Sequence, residues 1–287
     1  MPKLSQVAKA TTQTVLVYGP PKSGKTELAG KLASDFDILY IGMENGHQTM
    51  TKFPPEWQDR ITIVNLPDTR SYPIAIETCL KIVKGNKWFI DDTTGKAVAE
   101  GQRKPNTEYT EVHLDSLPVT TVVIFDSLTQ LTNSAIAHIT KAQPDDYKMQ
   151  YDDWGNLGKL LDIFLSHVQQ SKANIICISH ETEAEMEDGK MKIVPTAGTR
   201  NFSRNTAKYF GHVVYVNIVN KAHKFTSSTT AILNTIVGSR TDIAIEEMKE
   251  PSLLPIFKGE TGTKTPQTNG QVAASRLSAL SASLKKT

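Results

Sequence analysis

Eight consecutive residues, Gly19–Thr26 (GPPKSGKT), constrain this chain more than any other feature. They fit the pattern GxxxxGK[ST] in full. They follow an apolar run, Thr14–Gly19 (TVLVYG), and open a stretch of helical character, Lys25–Ser34 (KTELAGKLAS). A strand that passes through a glycine loop into a helix turns several backbone N–H groups toward one point. The helix N-terminus adds its dipole there, and such a site takes phosphate. Gly19, Pro20, Pro21, Lys22, Ser23, Gly24, Lys25 and Thr26 are therefore the expected nucleotide cradle. Lys25 is expected to reach the β- and γ-phosphates, and the Thr26 hydroxyl to ligate Mg²⁺. The expected cofactors are ATP and Mg²⁺.

The rest of the chain repeats the alternation that begins there. Asp37–Gly42 (DILYIG), Arg60–Leu66, Val119–Asp126 (VTTVVIFD) and Ala173–Ser179 (ANIICIS) read as strands. Tyr72–Lys84, Leu128–Lys141 and Asn156–Gln170 have helical spacing, and Phe202–Tyr209 reads as a short helix. Continuous apolar strands between helices predict an α/β fold with a mainly parallel, twisted sheet flanked by helices. His212–Val219, Ala231–Val237 and Asp242–Ile245 are expected as further, antiparallel strands at the C-terminal edge of the sheet. Residues 86–100 predict a hairpin turning at Asp92–Gly95, within an insert over about 85–118 whose remainder is polar and irregular. The expected divisions are a leader (1–13), a core (14–253) and a flexible basic tail (254–287). That tail holds Lys258, Lys264, Arg276, Lys285 and Lys286 against Glu260.

Two acids belong with the phosphate loop. Asp126 ends an apolar strand, where a carboxylate can join Thr26 in the metal shell. Hydrolysis also needs a carboxylate to accept a proton from the attacking water. Ser127 follows Asp126, so that base is missing from the adjacent position. Glu44, just beyond DILYIG, is its natural source.

Composition bounds the partners less sharply. A net charge of +2 requires no polyanionic partner. Two cysteines, Cys79 and Cys177, make no disulfide framework. No apolar run approaches a membrane span, and the N-terminus lacks a signal-peptide core. A cytoplasmic protein with no membrane partner is expected.

In this order, GPPKSGKT, a strand ending in Met-Glu44-Asn, VVIFDS and IICISH resemble the core of RecA-like P-loop ATPases. The resemblance covers about residues 13–245. More narrowly the chain resembles the short phage RecA-core proteins of the Sak type, which act in single-strand annealing and recombination. It implies a DNA-dependent ATPase, in the host cytoplasm if phage-encoded. The implied partners are single-stranded DNA, further copies of the chain and a single-strand DNA-binding protein. Glu44 then matches the catalytic glutamate and Asp126 the Walker B aspartate, while His180 falls where a γ-phosphate-sensing glutamine stands. Residues 132–154 fall at the first DNA loop, where Tyr147, Tyr151 and Trp154 could stack bases. Residues 181–204 fall at the second. The first part of that second loop is acidic (Glu181, Glu183, Glu185, Glu187, Asp188) and would repel phosphates. DNA contacts are therefore expected from Lys190, Lys192, Arg200, Arg204 and Lys208, with Arg200 and Arg204 foremost. Lys221, Lys224 and Arg240 are the candidates for a cation acting in trans on a neighbour's γ-phosphate. The leader is read as too short for a separate polymerisation domain.

Three other readings make distinct demands. An AAA+-type helicase loader, or related replication ATPase, should carry a helical lid domain. A small-molecule kinase should carry an Arg-rich lid. A nucleotide-gated scaffold would bind ATP with little hydrolysis.

Overall fold

A computed structural model describes residues 12–220, 222–227, 234–240 and 252–258. Strand β1 (Thr14–Gly19) leads through the glycine loop into α1 (Lys25–Gly30), which tightens into a 3-10 turn at Lys31–Ser34. Next come β2 (Asp37–Gly42), a 3-10 helix (Asn45–Lys52), α2 (Pro55–Gln58), β3 (Ile61–Asn65) and α3 (Ile74–Val83). An inserted unit of β4 (Lys87–Asp91), β5 (Ala97–Val98) and β6 (Tyr109–His113) follows. The chain then continues as β7 (Thr121–Asp126), α4 (Leu128–Thr140), α5 (Tyr151–Gln170), β8 (Asn174–Glu185) and β9 (Met191–Pro195). The remaining described elements are α6 (Arg200–Asn205), β10 (His212–Val219), β11 (Ala222–Thr226), β12 (Gly238–Ser239) and α7 (Leu254–Lys258).

The main sheet has the order β11-β10-β1-β8-β7-β2-β3, with β9 on β8 and β12 on β10. The strands from β10 to β3 run parallel, while β11 and β12 pair antiparallel with β10. This is the predicted α/β architecture. Its central strands β1, β2 and β7 are mostly apolar and buried because both faces are covered. Leu16, Leu39, Val123 and Ile175 face a core closed by α3, α4 and α5. Their neighbours Val15, Ile38, Val122 and Ile176 face a second core closed by α1, the turns after it and α7.

Register decides what meets at the carboxyl end of the sheet. Gly19 pairs with His180, Asp126 with Ile178, and Gly42 with Asp126. The glycine loop, Asp126, the end of β2 and His180 therefore emerge side by side.

Several expectations need correction. The insert is a three-stranded antiparallel sheet, because 109–113 pairs with β4 (Trp88 opposite Val112). Its sequence, YTEVH, looks irregular because within it only Val112 is buried. The insert is tied to α3 by Thr78 and Lys81, which donate to the carbonyls of Gly95 and Ala97. Residues 181–195 form a regular hairpin, β8–β9, turning at Asp188–Gly189, so they are not an open loop. Helix α5 starts five residues early, where Asp153 accepts from the Gln150 N–H (2.8 Å). The tail boundary at 254 also moves. Residues 254–258 are the helix α7, with Ile256 and Phe257 buried and Lys258 paired with Asp35. Of the stretch expected as a strand at 231–237, residues 234–237 show a single bridge, Ile193 to Thr235. The rest of that stretch, 242–245, the leader up to residue 11, Lys221 and the tail beyond 258 lie outside the described residues.

Candidate active site

Pro21–Thr26 of the expected nucleotide residues line one cleft of about 620 Å³ at the carboxyl end of the sheet. Gly24 stands at φ +92° ahead of α1, a left-handed conformation that glycine adopts without strain. Lys25 is buried, and its ammonium donates to the carbonyls of Gly19 (2.9 Å) and Pro20 (2.7 Å). Burial lowers Lys25 to about 8, with Asp126, Glu181 and Glu44 opposing. The cation is thus held by weak neutral acceptors, and anionic oxygens would be better partners for it.

Asp126 is buried at the end of β7, and burial raises its pKa against two hydrogen bonds that lower it. Thr26 Oγ1 (2.7 Å) and Tyr40 Oη (2.8 Å) both donate to Asp126 Oδ2. Thr26 and Asp126 are hard oxygen donors in direct contact, the chemistry that suits Mg²⁺ held together with substrate phosphates. Two further polar atoms in the cleft lining, Ser23 Oγ and His180 Nδ1, are buried without a hydrogen-bond partner. The loop, its lysine, the hydroxyl–carboxylate pair and these unpaired atoms fit Mg·ATP.

Glu44 projects from just beyond β2, half-buried. Ser127 Oγ donates to its Oε1 (2.5 Å), and His180 Nε2 lies 3.7 Å from its Oε2. The His180 imidazole and the Ser127 hydroxyl hold Glu44 below its usual carboxylate range, while burial opposes them. Ser127 also caps α4 by accepting from the Gln130 N–H (3.2 Å). One hydroxyl can do both, since it has one proton to give and lone pairs to spare. The residue after Asp126 therefore holds the Glu44 carboxylate in place. His180 is fixed in turn by its own N–H, which donates to Thr129 Oγ1 (3.0 Å).

The structure thus brings together Lys25, Thr26, Glu44, Asp126 and His180. It also supplies residues that the sequence did not single out. Tyr40 sits in an apolar run and reads there as an ordinary core aromatic. Gly46 is a close-approach glycine. A Cβ placed on it would lie 2.6 Å from Asp126 Oδ2, 2.8 Å from the Tyr40 hydroxyl and 3.3 Å from Thr26 Oγ1. Gly46→Ala should therefore displace the metal-side carboxylate. A titration of turnover against Mg²⁺ should show a rate lowered about ten- to a hundredfold and a raised Mg²⁺ requirement. An unchanged titration would mean that Asp126 has room to yield.

The other sequence-derived residues do not converge in this way. Lys190 is at the β8–β9 turn, paired with Asp188 (3.3 Å), and Lys192 is on β9. Arg200 is exposed in the first turn of α6, Arg204 is half-buried in its last turn, and Lys208 lies exposed just beyond. Glu181 is not a free loop acid, because it accepts from the Tyr215 hydroxyl (2.8 Å). Tyr151 (90% exposed) and Trp154 (43%) stand on the N-terminal turn of α5, whereas the Tyr147 hydroxyl donates to Asp153. Lys224 is on the edge strand opposite Asn217, toward the carboxyl end of the sheet. Arg240 bonds Gly211 beside Thr14, at the other end of β1. The two cations therefore cannot serve one common contact.

A family model described as an AAA domain matches residues 11–235. The chain belongs to that family. It is a P-loop ATPase by this membership and by the loop, metal-side aspartate and ordered glutamate described above. No curated protein matches this AAA-domain ATPase in sequence. Among solved structures, one titled as a prototypical ATPase from the type III secretion system of pathogenic bacteria aligns with 71% of this chain. It does so at 12% identity and a TM-score of 0.39, over 52% of its own length. The chain thus spans about half the length of that ATPase. Among the described residues no helix is long and apolar enough to cross a membrane.

Proposed function

We propose that this AAA-domain ATPase hydrolyses Mg·ATP with Glu44 as the proton acceptor, and that single-stranded DNA stimulates it in RecA-type annealing or recombination of the phage Sak kind. The observation that carries hydrolysis is the fixed carboxylate of Glu44, ionised between Ser127 and His180 and facing the same cleft as Lys25 and Asp126. Bound Mg²⁺ would neutralise phosphate charge. Around it, Thr26 and Asp126 hold the metal side, Lys25 meets the phosphates, and Glu44 orients water and takes its proton. A scaffold with little hydrolysis would not need an acid so held.

The DNA part of the reading is supported by a short structural link. Thr129 Oγ1 accepts from His180 N–H, and one turn later on α4 Thr132 Oγ1 accepts from Gly198 N–H (3.0 Å). Gly198 adjoins Thr199, the cap of α6, which carries Arg200 and Arg204. A change at His180 therefore has a route through α4 to the segment that carries the two arginines. The acidic β8–β9 tip would repel phosphates, so DNA is expected on the α6 side. In gel shifts the wild type should bind single-stranded DNA more tightly with ATP and less tightly with salt. Arg200→Ala with Arg204→Ala should weaken binding about tenfold and flatten the salt dependence. Turnover and light scattering, with and without DNA, read stimulation and assembly in the same samples. Equal DNA binding by the double variant removes α6 from the interface. DNA-independent turnover by an unassembled chain removes the RecA-type reading.

The AAA-domain match also favours a second reading, a replication-associated loader. Against it, the only α-helices after β8 among the described residues are α6 and α7, of six and five residues. Turnover stimulated by a protein partner but not by DNA would select this alternative.

A further inference from the structure

Strand β11 is the outer edge of the main sheet, and it touches the phosphate loop through one side chain. The pairing of β1 with β10 ends at Tyr18 opposite Tyr215, while β10 runs on to Val219 and turns back as β11. The outer part of this hairpin therefore rises past the sheet edge beside the loop. His223, opposite Ile218, reaches across with Nδ1 2.7 Å from the Ser23 carbonyl oxygen. A Cβ on Gly24 would lie 3.1 Å from the same Nδ1, so the imidazole covers that glycine. His223 also lines the nucleotide cleft.

We propose that His223 is a positioning residue for the phosphate loop, and that β11 forms the outer wall of the nucleotide site. This rests on the Mg·ATP reading given above. A carbonyl oxygen only accepts, so Nδ1 carries the proton, and the tautomer is assigned from that bond. The Ser23 carbonyl and the Gly24 N–H belong to one planar trans peptide and point in opposite directions. Fixing the carbonyl on His223 fixes the direction of the Gly24 N–H, one of the donors a glycine loop offers to phosphate. Gly24 has no side chain and sits at positive φ, so its backbone has the most freedom to lose at this point. The imidazole itself is exposed on an edge strand and adds little to the core. Its clearest effect is on the loop.

The test compares wild type, His223→Ala and His223→Asn by calorimetric titration with Mg·ATP and by steady-state turnover. The asparagine amide can donate from nearly the same place as Nδ1–H. His223→Ala should weaken Mg·ATP binding and raise KM about five- to tenfold, the scale of one lost hydrogen bond, with kcat within about twofold of wild type. His223→Asn should recover most of the affinity. Unchanged affinity in His223→Ala overturns the proposal. So does a His223→Asn variant as weak as His223→Ala, or a fall in kcat at unchanged KM. A wild type that binds no Mg·ATP overturns the nucleotide reading and the proposal together, a result distinct from tight binding by all three proteins.

Discussion

Lys25→Ala is expected to remove measurable Mg·ATP binding and turnover, with the fold intact. Of the two loop lysines Lys22 is exposed, whereas Lys25 is buried where it would face the β- and γ-phosphates. In the structure it bonds two loop carbonyls, and burial lowers it to about 8. Anionic oxygens would favour its charged form and raise that value. The sign follows directly: at pH 8 an appreciable fraction of the free protein carries neutral Lys25, and the complex carries it charged. Binding should therefore take up protons at pH 8 and fewer at pH 7, where the amine is already mostly protonated. Calorimetry in buffers of different ionisation enthalpy measures this uptake. Lys25→Ala protein that binds Mg·ATP as wild type does, or wild type whose binding is proton-neutral at pH 8, would contradict this role.

Glu44→Gln is expected to leave Mg·ATP affinity near wild type and to lower turnover about 10²-fold or more, the scale of a lost general base. Glutamine keeps the shape and can still accept from Ser127, so the cleft should stay assembled. It cannot take a proton from water. The depressed pKa of Glu44 adds a pH signature. Its carboxylate stays ionised below the ordinary range, so the acid limb of the rate profile should lie below the usual glutamate value. Removing His180, the largest cause of the depression, should move that limb upward.

How much of this was legible in the sequence depended on how local each determinant is. GPPKSGKT is contiguous, so its geometry and its chemistry could be read together. Asp126 is marked by ending an apolar run, and Glu44 by Ser127 occupying the position next to Asp126 where a base can stand. The parallel sheet is legible in runs of consecutive apolar residues such as 122–125, within a strand buried throughout. Long-range partners left no comparable trace. Tyr40 is one aromatic among the apolar residues of β2 until β7 brings Asp126 beside it. Gly46 is one small residue among polar ones until the close approach of Asp126 gives it a reason. His223 stands among lysines and polar residues and gains meaning only when a 200-residue separation closes onto Ser23. The polar strands β6, β9 and β11 were missed for a related reason. Each takes its structure from pairing with a neighbour, and none shows the apolar alternation of a strand with one face in the core. Lys224 and Arg240 lie close in the chain, yet the register of β10 sets them toward opposite ends of the sheet.

Single-turnover phosphate release, measured on wild type and Glu44→Gln with Mg·ATP affinity taken on the same samples, is the most direct reading of the site. Wild type should bind and release phosphate, and Glu44→Gln should bind as tightly and release it about 10²-fold more slowly or worse. Equal release rates at equal affinity would contradict the assignment of Glu44 as the group that takes the proton from water.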